Sequence, residues 1–282
     1  MKLAILSDIH GNLPALRATA EHAAAWQPDY IIINGDIVNR GPCSPACWQF
    51  IQQRQAADGW LVTQGNHETY VTKHAQPAAG ANGREFEINQ LSYWTYQQLN
   101  GQVAALDALP KRISLPTPDG REIRICHASM RGNRDGILPH SSAEEVRRQI
   151  APAPALFATA HIHFPFIRQV DDTLIVNSGS AGSLCYGDTR ASYAQVTWRQ
   201  GRWHAEIAYV PYDMTETERD FQSSGFLEEA GAVAHIIYHE WRTARPLIYE
   251  WVQQYQGRVL AGEIGLDTAV SHYLAQKGLR RP

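Results

Sequence analysis

The chain has 282 residues, of which 44% are hydrophobic and 19% charged, with a formal net charge of -3. This content suits one sizeable globular domain, or one domain with a smaller addition. It excludes a membrane span, because no run of about 18 apolar residues occurs, and nonspecific nucleic-acid binding, because no basic run occurs.

Short apolar runs alternate with longer helical patterns in the first half of the chain. Strands are predicted at 2–6, 30–33 and 60–64, and helices at 13–26, 44–56 and about 88–99. Residues 72–90 are polar and rich in Gly, Ala and Asn, which predicts a surface loop or lid. The β-α-β-α-β opening is typical of layered α/β architecture.

The second half is dominated by predicted strands, at 122–126, 155–160, 173–177, 192–198 and 203–210. Turn signals such as Pro118-Asp119-Gly120 separate them. Two packed sheets with helices outside would accommodate both halves of the chain.

After Pro211 the pattern becomes helical. Apolar residues recur at helical spacing at Leu227, Ala230, Ala234, Ile237, Trp241, Ala244 and Ile248. Pro246 should break or kink this helix. We therefore predict a domain over residues 1–211 and a C-terminal helical extension over residues 212–282, packed on the core. A homo-oligomer contact and a cap over the substrate are the alternative roles of these helices.

Localisation and thiol chemistry follow from two further features. The apolar run at 2–6 is too short for a signal peptide and Asp8 interrupts it, so a cytoplasmic protein is expected. The four cysteines contain no C-x-x-C pair, which argues against a disulfide framework and a thiolate zinc site. Free and mostly buried thiols are expected.

Metal-ligand residue types follow the predicted strands. These residues are Asp8, His10, Asp36, Asn66, His67, His127, His161 and His163. Each has an ordinary explanation when taken singly, as a turn residue, a helix cap or a core histidine. Ligand sites of open α/β sheets lie at the carboxyl ends of the strands, so the segments can meet at one edge. Imidazole with carboxylate favours Mn, Fe, Zn, Co or Ni, and so many ligands indicate two ions that share a carboxylate.

The order Asp-x-His, Gly-Asp, Gly-Asn-His-Glu, His and His-x-His resembles the calcineurin-like metallophosphoesterase superfamily, with features of its bacterial small phosphoesterases and serine/threonine phosphatases. "VNSGSAG" at 176–182 is similar to a segment that follows the last metal histidines in bacterial members. The resemblance covers residues 1–210 and implies a four-layer α/β/β/α sandwich of two mixed sheets. Ala128, Ala160 and Ile162 depart from the usual Gly, Gly and Thr, and put loop shape in question.

The resemblance also implies a role for each site residue. One metal would be bound by Asp8, His10 and His163, and the other by Asn66, His127 and His161. Asp36 would bridge two divalent ions. Mn is the favoured metal, and Fe, Zn, Ni and Co are the alternatives. His67 is similar to the catalytic histidine of the family, and Glu68 to the residue that orients it. A metal-bridging hydroxide would attack phosphorus while His67 acts as general acid on the leaving oxygen.

Three arginines could contact the substrate. Arg40 lies in "NRGP", which resembles the phosphate-binding Arg-Gly segment of serine/threonine phosphatases and dinucleoside tetraphosphatases. A guanidinium matches two phosphate oxygens, although an arginine before a Gly-Pro turn can simply be solvated. Arg131 and Arg134 follow His127, and each could either contact the substrate or simply be solvated.

The favoured function is hydrolysis of a phosphomono- or phosphodiester of a small molecule or nucleotide. Phosphoprotein phosphatase and dinucleoside polyphosphate hydrolase activities are alternatives. A noncatalytic scaffold of the same fold is a further alternative, but such a protein should have lost ligands or the catalytic histidine. The expected partner is a small phosphorylated substrate, with no stable nucleic-acid complex and no membrane.

Overall fold

A computed structural model of the chain describes residues 1–76, 82–183 and 185–282. The strands are β1 Lys2–Leu6, β2 Tyr30–Asn34, β3 Leu61–Thr63, β4 Arg112–Pro116, β5 Glu122–Cys126, β6 Leu156–Thr159, β7 Phe166–Val170, β8 Thr173–Asn177, β9 Ala191–Arg199 and β10 Arg202–Val210. The helices are α1 Leu13–Ala25, α2 Ser44–Asp58, α3 Asn66–Thr72, α4 Arg84–Ile88, α5 Gln90–Gln98, α6 Ala104–Asp107, α7 Ala143–Ile150, α8 Met214–Ser223, α9 Phe226–Glu229, α10 Val233–Thr243, α11 Leu247–Trp251, α12 Gly257–Ala261 and α13 Leu266–Gln276. A 3-10 turn at Lys73–Ala75 and a π-helical segment at Val252–Gln256 complete the regular structure of the described residues.

The strands form two mixed five-stranded sheets. The first has the order β10-β9-β1-β2-β3, with β1, β2 and β3 parallel and β9 antiparallel to β1. The second has the order β4-β5-β6-β8-β7, with β5, β6 and β8 parallel and the two edge strands antiparallel. Parallel strands of both sheets therefore present carboxyl ends where ligands can bind.

Alternation along the strands places the two sheets face to face. Leu3 and Ile5 of β1 lie in an apolar cluster with Ile123 and Ile125 of β5, between the sheets. Ala4 of β1 lies instead in a second cluster with residues of α1 and α2, because successive strand residues point to opposite faces. Phe157 of β6 and Ile175 of β8 contact α7 in the same way on the other side. This arrangement is the predicted four-layer α/β/β/α sandwich.

Several predicted elements differ from the structure. The loop or lid expected at 72–90 is wrong in part: Lys73–Ala75 is a 3-10 turn and Arg84–Ile88 is helical, while residues 77–81 lie outside the described residues. The sequence does not predict strands β4 and β7, because both lie at sheet edges and carry exposed polar residues such as Arg112 and Gln169. An edge strand needs apolar residues on one face only, so its sequence lacks the continuous apolar run of a buried strand.

The C-terminal apolar stripe is divided among three helices. Gly231 and Ala244 have positive φ and separate α9, α10 and α11, and Pro246 immediately precedes α11, as expected for a helix breaker. The helices share a core that also includes Leu91 and Trp94 of α5. The extension thus packs on an element of the first 211 residues, and a domain boundary near residue 211 stays a prediction.

Two further expectations concern thiols and membranes. All four cysteines are free, and three of them are buried while Cys43 is partly buried. Within the described residues, no helix is both long and apolar enough to cross a membrane.

Candidate metal centre and active site

The predicted ligands follow strand ends of both sheets and meet at one edge. Asp8 and His10 follow β1 and Asp36 follows β2, whereas His127 follows β5 of the other sheet. Asn34, the last residue of β2, joins the sheets here: its side-chain amide donates to the carbonyl of Cys126 at 2.9 Å. The site therefore lies across the seam between the two sheets.

One group of ligand atoms comes from Asp8, His10 and His163, all buried and within 4.8 Å of one another. Oδ1 of Asp8 lies 3.3 Å from Nε2 of His163. The Nε2 atoms of His10 and His163 lie 3.0 Å apart. These are the three residues expected to bind the first metal.

A second group comes from Asp36, His127 and His161, again within 4.8 Å of one another. Oδ2 of Asp36 lies 3.2 Å from Nε2 of His127 and 3.7 Å from Nε2 of His10. Asn66 presents its Oδ1 at 3.1 Å from Nε2 of His127. Asp36 thus lies between the two groups and within reach of both.

Backbone carbonyls orient two of the histidines. Nδ1 of His127 lies 2.8 Å from the carbonyl of Asn34, and Nδ1 of His163 lies 2.7 Å from that of Ser183. A carbonyl can only accept, so each Nδ1 carries a proton and Nε2 is the nitrogen that faces the cluster. Metal-binding histidines are commonly fixed in this way.

Burial and neighbouring charges move the pKa values at the site in opposite directions. Burial opposes ionisation of Asp36, but the charge of the His127 imidazolium and its contact with the carboxylate hold the pKa of Asp36 well below the usual range. Burial opposes protonation of His127, yet Asp36 and Asp8 raise its pKa to about 9. Burial lowers the pKa of His161 to about 4. The cluster therefore combines ionised carboxylates with imidazoles close to them.

The buried polar atoms fit a divalent cation. In the described part of the chain, Oδ1 of Asp8 and Nδ1 of His10 are buried without a hydrogen-bond partner. A buried carboxylate oxygen without a donor is costly, and a coordinated cation removes that cost. Carboxylate, imidazole and amide donors together suit borderline transition metals.

The backbone is strained where these residues lie. Positive φ occurs at Asp8, His10, Asp36, His161 and His163, with values between 49° and 72°. Residues other than glycine rarely adopt this conformation, and it persists at functional sites where surrounding structure enforces it. Strain at five of the predicted ligands indicates that the local backbone is shaped for the site.

His67 lies beside the cluster and is held by Asn39. Nδ2 of Asn39 lies 2.9 Å from Nδ1 of His67, and Oδ1 of Asn39 accepts the backbone N–H of Arg40 at 2.9 Å. Because the amide nitrogen can only donate, Nδ1 of His67 accepts and its proton lies on Nε2. A ring nitrogen of His67 is also within 4.8 Å of ligand atoms of His10 and Asp36.

The contacts of Glu68 are with the backbone rather than with the His67 ring, and its expected role in orienting His67 stays a prediction. The buried Glu68 carboxylate accepts backbone N–H groups of Gly65, Asp36, Ile37 and Val38 at 2.7–3.2 Å. Adjacent helical residues do not face each other, so Glu68 points away from His67. Glu68 instead fixes the backbone that follows β2 to the start of α3.

The arginines differ in their surroundings. Nη2 of Arg40 donates to Oε1 of Glu240, a residue of α10, at 2.9 Å. Arg131 does not support the predicted substrate contact, because its exposed guanidinium is bound to Asp135 and Glu145. Arg134 lies over the ring of Tyr70 at 5.7 Å, and that ring lies 5.1 Å from His67. Arg134 is thus nearer the site than Arg131.

Asn39 and Glu240 are site residues that sequence reasoning missed. Asn39 directly precedes Arg40 in the quoted motif, and its polar side chain was the available signal. Glu240 lies 200 residues beyond Arg40, on a helix whose sequence signal is an apolar stripe, so no local pattern indicates it.

The fold and site define a class: a two-sheet α/β sandwich with a histidine–carboxylate centre suited to metal ions. The family model for the calcineurin-like phosphoesterase superfamily domain matches residues 1–201. The chain therefore belongs to the calcineurin-like phosphoesterase superfamily, a metal-dependent family of phosphate ester hydrolases.

Solved structures support the same fold. A metallophosphoesterase from Sphaerobacter thermophilus is 22% identical with a TM-score of 0.66, and the match covers 86% of this chain and 99% of that one. A hypothetical protein from Pyrococcus horikoshii OT3 is 20% identical with a TM-score of 0.70, covering 83% of this chain and 97% of that one. A comparison with curated protein sequences finds no match.

Proposed function

We propose that this chain hydrolyses a phosphomono- or phosphodiester of a small molecule or nucleotide. The reaction would use two bound divalent ions, and Mn is the favoured metal. The observation that carries the proposal is the position of Asp36, with Oδ2 at 3.7 Å from His10 and 3.2 Å from His127, between two groups of ligand atoms. Two such groups that share one carboxylate suit a pair of ions. Asp8, His10 and His163 would hold one, and Asn66, His127 and His161 the other.

Two ions held in this way would polarise a phosphoryl group and lower the pKa of a bound water. The chain's own residues supply the rest. Asp36 is fixed by the backbone N–H of His67, which donates to Oδ1 at 2.8 Å, so its other oxygen stays turned to the cluster. Orientation of this kind keeps a reacting group in place without rearrangement during the reaction.

His67 is the proposed proton donor to the leaving oxygen. Burial lowers its pKa to about 3 in the protein without substrate, so the imidazole is neutral there. Asn39 keeps the proton on Nε2, from which His67 can donate a hydrogen bond. A bound phosphate anion favours the imidazolium form, because an opposite charge raises the pKa of a histidine. Full proton transfer to an alkoxide is then available.

The experiment is a substrate and metal panel. Metal-depleted protein is reconstituted with Mn, Fe, Ni, Co, Zn or Mg and assayed on p-nitrophenyl phosphate, bis(p-nitrophenyl) phosphate, a dinucleoside polyphosphate and a phosphopeptide. We expect hydrolysis of at least one small ester with Mn, and two bound ions per chain by elemental analysis. The relative rates on the four substrates decide between the small-ester reading and the two alternative hydrolase readings.

Asp36→Asn is the matched variant, because it keeps the shape of the side chain and removes its charge. It should lose both metal and activity. Full occupancy by two ions in Asp36→Asn would contradict a bridging role. Absence of hydrolysis by the metal-loaded wild type on every substrate would instead favour a noncatalytic scaffold. Cytoplasmic location and freedom from nucleic acid and membrane partners stay predictions.

A further inference from the structure

The loop Asn39–Gly41 contacts the His67 ring on one side and the backbone of His10 on the other. Asn39 binds His67, as described above. On the other side, a Cβ atom at Gly41 would lie 1.9 Å from the carbonyl oxygen of His10, so only glycine fits against this backbone. Arg40, between them, therefore starts from a backbone position fixed at the rim of the site.

The loop itself is held in a costly conformation. Asn39 and Arg40 both have positive φ, 71° and 61°. The backbone N–H of Asn39 donates to Oγ of Ser44 at 3.0 Å, and that of Arg40 donates to its neighbour's side chain. Strain of this kind at consecutive residues other than glycine is expected where the direction of a side chain matters.

The direction of the Arg40 side chain is set by α10. The Arg40 side chain is 16% exposed, and its guanidinium binds Oε1 of Glu240, whose side chain is 2% exposed. The other oxygen of Glu240 accepts the backbone N–H of Ile248 at 2.8 Å. Both oxygens of Glu240 are thus engaged, which fixes its carboxylate and, through it, one end of the guanidinium.

The ion pair leaves part of Arg40 available. Within the described residues, Glu240 accepts a hydrogen bond from Nη2 of Arg40 and from no other nitrogen of that guanidinium. A guanidinium has five N–H donors. Two or more of these can still bind oxygens of a phosphate. A held guanidinium loses less side-chain entropy on binding than a free one, so the same contact binds the ligand more tightly.

Other contacts place the extension around the same rim. Thr217 of α8 donates to Oδ1 of Asn12, two residues after His10, at 3.0 Å. The backbone N–H of Gly187, four residues after the Ser183 that contacts His163, donates to the carbonyl of Ala244, directly after α10, at 2.7 Å. Glu240 is therefore one of several points at which residues 212–282 contact segments of the site.

We propose that Glu240 is a positioning residue that holds Arg40 toward a phosphate carrying two negative charges, so that the C-terminal extension helps to select monoesters and terminal phosphates. This inference rests on the proposed function for the identity of the site and goes beyond it in assigning a role to the extension. A diester has one negative charge fewer on its phosphate and gains less from a fixed cation.

The test measures binding of inorganic phosphate to the Mn-loaded protein by titration calorimetry, together with steady-state kinetics on p-nitrophenyl phosphate and bis(p-nitrophenyl) phosphate. Glu240→Gln should weaken phosphate binding about 10-fold, a loss of about 1.4 kcal/mol. It should raise KM for the monoester by a similar factor, with kcat and the diester KM changed less than about twofold.

A double-variant cycle separates positioning from stability. Arg40→Met should weaken phosphate binding at least as much as Glu240→Gln, and the double variant should be no weaker than Arg40→Met alone. Glu218→Gln is the matched control, since Glu218 pairs with Arg242 at 2.8 Å elsewhere in the extension. That control should leave the phosphate Kd unchanged. Glu240→Asp, which retains the charge on a shorter side chain, serves as a second variant if Glu240→Gln does not fold.

Three results would overturn the proposal. An unchanged or tighter phosphate Kd in Glu240→Gln would mean that Glu240 is only structural or competes with the ligand. Additive losses in the double variant would mean that the two residues act separately. Equal losses on monoester and diester would remove the charge selectivity. If the wild type binds phosphate but hydrolyses no ester, the proposed function fails while the role of Glu240 is still decided by the phosphate Kd.

Discussion

At the scale of single residues, Asn66 and His67 have different environments although they are neighbours. Asn66 directs its Oδ1 at Nε2 of His127, inside the ligand cluster. His67 has Asn39 on one ring nitrogen and packs edge-on to the ring of His10, with centroids 4.8 Å apart. These different environments support the proposed metal binding by the amide of Asn66 and proton donation by the imidazole of His67.

His67→Ala should keep both metals and lose activity according to the leaving group. An alkyl phosphate needs a proton on its leaving oxygen, so its turnover should fall about 10²–10⁴-fold. A nitrophenolate leaves without a proton and should be affected much less. The measurements are kcat on both esters and metal content by elemental analysis. Equal losses on both esters would contradict the general-acid role, and loss of one ion would make His67 a ligand.

Asn39→Ala supplies the control for this assignment. It removes the hydrogen bond that keeps the proton of His67 on Nε2 but leaves the imidazole in place. The leaving-group dependence should have the same sign as in His67→Ala and a smaller size. Gln97→Ala, an exposed change on α5, should have no effect on either ester.

At the scale of elements, Glu68 joins α3 to the loop after β2. Its carboxylate is fully buried, and burial with the nearby charge of Asp36 raises its pKa to about 7, against the effect of the backbone N–H groups that it accepts. Four buried N–H groups depend on this one side chain. The position of Asp36 therefore depends on Glu68 rather than on the strand alone.

Glu68→Ala should destabilise the fold and weaken metal binding together. Each buried donor without an acceptor costs about 1–3 kcal/mol, so we expect the free energy of unfolding to fall by more than about 3 kcal/mol. Denaturant unfolding of the metal-free protein measures this loss. Glu144→Ala is the control, since Glu144 is 75% exposed and its pair with Arg148 contributes little. A Glu68→Ala protein as stable as the control would contradict this role.

The amino-acid sequence predicts the buried strands of this fold better than it predicts the long-range contacts of single side chains. The sequence predicts strands β1, β2 and β8 at or within one residue of their bounds, because these buried strands carry continuous apolar runs. The sequence also predicts that the polar residues after the parallel strands lie close together, because the carboxyl ends of parallel strands meet at one edge of a sheet. The role of Glu68 was missed because its partners are backbone N–H groups 30–32 residues away, which no side-chain pattern records. The contact between Glu240 and Arg40 is also not predicted, because the two residues lie 200 residues apart in the sequence.

At the scale of the whole molecule, the buried histidines make folding and metal binding depend on pH in opposite ways. Burial opposes protonation of His127 and of His163, but carboxylates overcome this effect and raise the pKa of His127 to about 9 and that of His163 well above its ordinary value. A histidine with a raised folded-state pKa stabilises the fold fully below about 6.5 and loses this contribution as pH rises through the folded value.

Without metal, the melting temperature should therefore fall between about pH 7 and pH 9. With saturating Mn the stabilisation by metal should rise over the same range, because coordination requires neutral imidazoles and displaces the protons of His127 and His163. Each proton released makes metal affinity about 10-fold greater per pH unit. Melting curves at several pH values, and calorimetric metal titrations in two buffers of different ionisation enthalpy, measure both effects. Metal affinity independent of pH across this range would contradict proton displacement from these histidines and hence their place in the metal centre.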